Sequence, residues 1–114
     1  MIKYSELETV FGASDITLHE YNVELEEDEQ ISTPFVVYTA TNGDSFVADG
    51  INYLRLLDVG LALIDETLNF SMQRAIENVL DSNDTTYDKR INFDDNARLY
   101  SISYTFSVFD DVEN

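Results

Sequence analysis

The most regular pattern in this sequence lies near its C-terminus, where apolar and hydroxyl side chains alternate along residues 100–108. Successive side chains of a β-strand point to opposite faces of a sheet, so this alternation predicts a strand with one buried and one polar face. The apolar set is Tyr100, Ile102, Tyr104, Phe106 and Val108, and the polar set is Ser101, Ser103, Thr105 and Ser107. A chain with such a strand is expected to cover one side of its sheet and leave the other side polar.

Two helices are predicted to supply that cover. Apolar residues recur at helical spacing over residues 70–82, with Asn69 as a candidate N-cap. A shorter helix is predicted near the N-terminus, where Ser5 and Glu8 have the spacing of a capping box and Gly12 is a natural stop.

Strand-forming residues occupy most of the remaining chain. The sequence Asn42-Gly43 predicts a tight hairpin turn, and Asp49-Gly50 predicts a second turn of the same kind. Because the connections are short, neighbouring strands are expected to pair antiparallel. The predicted strands cover residues 16–25, 35–39, 44–48, 51–64, 86–93 and 100–108. These elements predict a single α+β domain over residues 1–114, a mostly antiparallel β-sheet with two helices packed on one face.

The charge of the chain restricts its partners. Six Lys and Arg stand against 23 Asp and Glu, which gives a formal net charge of −17 on 114 residues. Binding nucleic acid replaces its counterions with Lys and Arg, so a protein of this composition is expected to avoid DNA or to imitate it. The chain should nevertheless fold, because 44% of its residues are hydrophobic.

Acidic residues concentrate in two segments. The run Glu24, Glu26, Glu27, Asp28 and Glu29 predicts a solvated acidic loop over about residues 24–33, because like charges repel one another. A second acidic stretch forms the C-terminal tail, residues 110–114, which has little reason to be ordered by itself.

Catalytic patterns are missing from the sequence. There is no cysteine, and His19 is the single histidine, which is more consistent with a structural role than with a triad or a metal site. No diagnostic carboxylate pair, calcium loop or phosphate-binding glycine motif is present. The chain is therefore predicted not to be an enzyme and to hold no metal or cofactor. The basic residues Arg55, Arg74, Lys89, Arg90 and Arg98 are scattered and are expected to pair with acids.

No targeting or membrane segment is evident. Residues 1–10 contain Lys3, Glu6 and Glu8 and no apolar run, and residues 59–64 are far too short to cross a bilayer. No membrane partner is expected, and the chain is expected to be soluble and made in the cytoplasm.

Several segments taken together resemble one protein family. Their order is Pro34-Phe-Val-Val-Tyr38, Phe46-Val-Ala-Asp49-Gly50, Tyr53, Ile76-Glu77-Asn78-Val79-Leu80-Asp81, Tyr87-Asp88-Lys89, Leu99-Tyr100 and Tyr104. This layout is similar to that of the small tail-completion proteins of long-tailed bacteriophages, also called tail terminators or head–tail joining proteins. The resemblance covers about residues 33–108. Glycine after the helix and basic residues before it, which such proteins often have, are replaced here by Asn83-Asp84 and Asp65-Glu66-Thr67.

The resemblance implies a structural virion protein that forms a ring, usually a hexamer. Such a ring sits at the head-proximal end of the tail tube, contacts the tube protein and the head connector, and passes DNA through its bore. An acidic bore would let DNA slide without binding, and the acidic run 24–29 supplies candidate residues for it or for a face toward a partner. Candidate subunit contacts are Asn42, Gly43, Ser101, Ser103 and Thr105, although a solvated polar face would show the same pattern.

Two other functions fit the composition. The chain could be a DNA mimic that inhibits a nucleic-acid-binding host or defence protein by presenting acids spaced like phosphates, for which Asp81, Asp84 and Asp88 are candidates. It could also be an acidic binding module without either role.

Overall fold

A computed structural model describes residues 2–20, 33–48 and 52–111, and for residues 42–48 and 52–54 it describes the backbone alone. The predicted acidic loop, the turn at Asp49-Gly50 and the last residues of the C-terminal tail lie outside the described residues. Within them the elements are a 3-10 turn (Tyr4–Glu6), α1 (Leu7–Gly12), β1 (Leu18–Glu20), β2 (Phe35–Ala48), β3 (Asn52–Asp65), α2 (Phe70–Ser82), β4 (Asp88–Asp94) and β5 (Leu99–Phe109).

The strands form one five-stranded sheet in the order β1-β2-β3-β5-β4. All neighbouring pairs are antiparallel except β1 and β2, which are parallel. The expectation of antiparallel neighbours was therefore wrong for this pair. Residues 21–34 separate the two strands, and a connection of that length can cross over where a tight turn cannot.

The hairpin turn predicted at Asn42-Gly43 is also wrong. β2 continues through this dipeptide to Ala48, and its register with β3 shifts between Asn42 and Ser45. Turn-forming residues thus produce a bulge within a long strand, a place where an extra residue is accommodated without ending the pairing. Among the described residues, β2 pairs with β3 alone from Asn42 onward, and β5 pairs with β3 only as far as Leu56.

The hydrophobic core lies on one face of the sheet. Register aligns apolar side chains in rows, such as Val36 with Leu63 and Ile102, and Tyr38 with Leu61 and Tyr104. Both helices pack against this face, because their buried side chains belong to the same cluster as the rows. The helix residues in the cluster are Leu7, Phe11, Ile76, Val79 and Leu80. The predicted α+β fold, with a mostly antiparallel sheet and two helices, is confirmed.

The turn before α2 is held by side-chain hydrogen bonds. The helix spans the predicted residues, and Asn69 caps it as predicted, with its Oδ1 accepting a hydrogen bond from the backbone N–H of Met72 at 3.2 Å. The Asp65 carboxylate accepts from Asn69 Nδ2 at 2.9 Å and from the Thr67 hydroxyl at 3.1 Å. Asn69 itself has φ 46°, in the left-handed region that asparagine tolerates better than most residues.

The N-terminus of α1 differs from the prediction. The helix begins at Leu7, and the preceding Glu6 makes no side-chain cap. Ser5 does not cap it either, since its hydroxyl donates to Asp111 Oδ2 at 2.6 Å and its backbone N–H donates to Asp111 Oδ1 at 3.0 Å. The start of the C-terminal tail is therefore ordered by contacts within the chain. The backbone N–H of Asp110, which donates to the carbonyl oxygen of Arg55 at 2.9 Å, adds a second contact.

Asn69 offers a test of the cap and of the left-handed backbone separately. We expect Asn69→Ala to lower the free energy of unfolding by about 1–2 kcal/mol, because it removes the cap and places alanine at positive φ. Asn69→Gly also removes the cap but tolerates positive φ, so its loss should be smaller. Urea unfolding at neutral pH measures both, and equal losses would contradict the role given to the backbone conformation.

The contact between Ser5 and Asp111 makes a second prediction. Hydrogen bonds from the Ser5 side chain and backbone lower the pKa of the Asp111 carboxyl below its ordinary value. Ser5→Ala removes the hydroxyl donor, so the pKa of Asp111 should rise toward that value in an NMR titration. Ser14→Ala, at another exposed serine near α1, is the control and should leave the titration of Asp111 unchanged.

Candidate functional site

The outer face of the sheet, the side away from the helices, carries three of the predicted contact residues. Ser101, Ser103 and Thr105 project from β5 on this side, and Thr105 is exposed while the two serines are half-buried. The acidic residues predicted for a bore or partner face, Glu24, Glu26, Glu27, Asp28 and Glu29, lie outside the described residues. For Asn42 and Gly43 the structure shows only that they belong to β2.

Small residues make the centre of the outer face shallow. Register places Ser103 beside Ala62, which in turn lies beside Val37, and it places Thr105 beside Gly60. These positions, with Ile64 at one side, line an open groove of about 450 Å³. Enzyme and ligand sites are usually concave pockets that enclose most of a small molecule, and this open groove does not have that form.

A second groove, of about 620 Å³, opens at one end of β4 and β5. Its lining includes Asp84 and Asp88, which are candidates for acids spaced like phosphates. It also includes Asp58, which was not a candidate. The third candidate, Asp81, is not among the lining residues. The carboxylate of Asp58 accepts a hydrogen bond from Ser107 at 2.9 Å. Among the described residues no group of three or more His, Asp and Glu side chains is arranged to hold a metal ion.

A tyrosine–carboxylate–lysine network lies between α2, β4 and β5. The Glu77 carboxylate accepts hydrogen bonds from the Tyr104 hydroxyl at 2.6 Å and from Lys89 Nζ at 2.8 Å. The ring of Tyr87 packs edge-on against that of Tyr104, with 5.5 Å between ring centroids. This network was missed from sequence. The sequence signal that could have revealed it is Tyr104, which lies among the buried positions of the alternating pattern in β5. A buried tyrosine hydroxyl needs a hydrogen-bond partner.

The electrostatics of this network favour a structural role. Burial acts to raise the pKa of Glu77, but the hydrogen bonds from Lys89 and Tyr104 outweigh it and lower the pKa below the ordinary value. Burial and the bond to Glu77 raise the pKa of Tyr104 well above its ordinary value. A tyrosine shifted this way keeps its proton at neutral pH, so it is a poor base and a poor nucleophile.

A second tyrosine–carboxylate pair holds α1 to the sheet. The Tyr38 hydroxyl donates to Glu8 Oε2 at 2.9 Å, and burial together with this bond raises the pKa of Tyr38. His19 lies in β1 beside Val37, is half-buried and is engaged in an interaction with another residue. Neither tyrosine pair opens onto the outer face.

The expected pairing of the basic residues holds only in part. Lys89 pairs with Glu77 at 2.8 Å, and Arg55 is engaged in an interaction. Arg74, Arg90 and Arg98 are exposed and have no acidic partner in the part of the chain that the structure describes. For these three, pairing with an acid stays a prediction, because acids such as Glu24 and Glu29 lie outside the described residues.

Comparison with known proteins adds no assignment. No protein-family model matches the sequence, and neither the curated proteins nor the solved structures contain a significant match. Neither of the two helices within residues 2–20, 33–48 and 52–111 has the length and apolar character needed to cross a bilayer.

Glu77 makes the stability of the fold depend on pH. Its pKa is lowered on folding, so its contribution is full above the ordinary pKa of a glutamate and is lost as the pH falls through the folded value. At neutral pH, Glu77→Gln should lower the free energy of unfolding by about 1–2 kcal/mol. The difference from the wild type should shrink toward pH 3, because the protonated side chain of Glu77 resembles glutamine.

The control is Glu66→Gln, at an exposed position before α2 that makes the same change of charge. Urea unfolding from pH 7 to pH 3 should show no comparable difference for it. A loss in Glu77→Gln that stays constant over this range would contradict the role of the charged carboxylate.

Proposed function

We propose that this chain is a structural virion protein, a tail terminator of a long-tailed bacteriophage whose copies close a ring on the head-proximal end of the tail tube. The ring stops the growth of the tube and presents a surface to the head connector. The outer face of the sheet, with Ser101, Ser103 and Thr105, is the contact surface in this proposal.

The placement of the resemblance segments supports the proposal. Residues 34–38 lead into and begin β2, Tyr53 lies in β3, and residues 76–81 lie in α2. Tyr87 precedes β4, and Leu99, Tyr100 and Tyr104 lie in β5. The segments at residues 35–38, 53, 76–81 and 99–104 therefore lie in the type of element, strand or helix, that the resemblance implies for them.

The shape of the outer face is the observation that carries the proposal. One side of the sheet is closed by two helices, and the other carries small hydroxyl side chains around an open groove rather than an enclosed pocket. The residues that line this groove are uncharged, so two copies of this acidic chain can meet there without placing carboxylates against each other.

In a ring, the negative charge of the chain would keep DNA from binding to the bore. Six copies at −17 each carry about −102, and acids that line the bore would repel the phosphate backbone of passing DNA. Salt screens this repulsion beyond roughly 8 Å, so only acids close to the bore matter. The run 24–29 remains the candidate for that lining.

A substitution on the outer face tests the proposal. The purified chain is mixed with tubes assembled from the tube protein encoded beside its gene, and electron microscopy counts the tube ends that carry a cap. The wild type should cap one end and stop elongation. Ser103→Tyr should weaken capping by about tenfold, or ~1.4 kcal/mol, because its bulky ring keeps the outer face of one copy away from the copy that contacts it.

The matched control is Ser71→Tyr, which adds the same ring at an exposed position of α2, on the helix side of the sheet. It should cap tubes like the wild type. A chain that ignores tubes but binds a basic nuclease with an affinity that falls steeply with salt would contradict the proposal and support the DNA mimic.

A further inference from the structure

We draw no further inference here: the strongest candidate, the surface patch of exposed apolar side chains that Ile91 and Phe93 present on the edge strand β4, carries none because nothing in the structure shows what covers it.

Discussion

Burial of one face of the sheet under the two helices is the interaction on which the rest of the structure depends. The rows formed by β2, β3 and β5 are apolar, and their side chains share one cluster with Leu7, Phe11 and Ile76. The surface of a chain with so much like charge adds little to the free energy of folding, because its carboxylates repel one another. Apolar burial must therefore exceed both that repulsion and the loss of conformational entropy on folding. Since the helices cover one side only, the opposite side is left for contacts of a different kind.

Polar groups within the core are placed where they strengthen this arrangement. Tyr104 and Tyr38 have buried rings on the helix side of the sheet, and each donates its hydroxyl to a carboxylate on a helix, Glu77 and Glu8 respectively. Acids that would otherwise add to surface repulsion become hydrogen-bond acceptors that attach the helices to the strands. Within the described residues every buried side-chain nitrogen and oxygen has a hydrogen-bond partner. The strongly shifted tyrosines are thus explained by the fold, and catalysis is not needed to account for them.

Local patterns in the sequence determined the elements with strong periodicity. The alternation over residues 100–108 and the helical spacing over residues 70–82, with Asn69 as the cap, predicted β5 and α2, because each depends on side chains close in sequence. Tertiary structure decided what depends on distant partners. Asn42-Gly43 became a bulge because β3 continues to pair beyond it, and Ser5 bound Asp111 from the other end of the chain instead of capping α1. The site residues divide in the same way, into those that local spacing identifies and those that depend on contacts between distant segments. Ser101, Ser103 and Thr105 could be assigned to one face from their spacing, whereas the network of Tyr104, Glu77 and Lys89 required α2, β4 and β5 to meet in the folded chain.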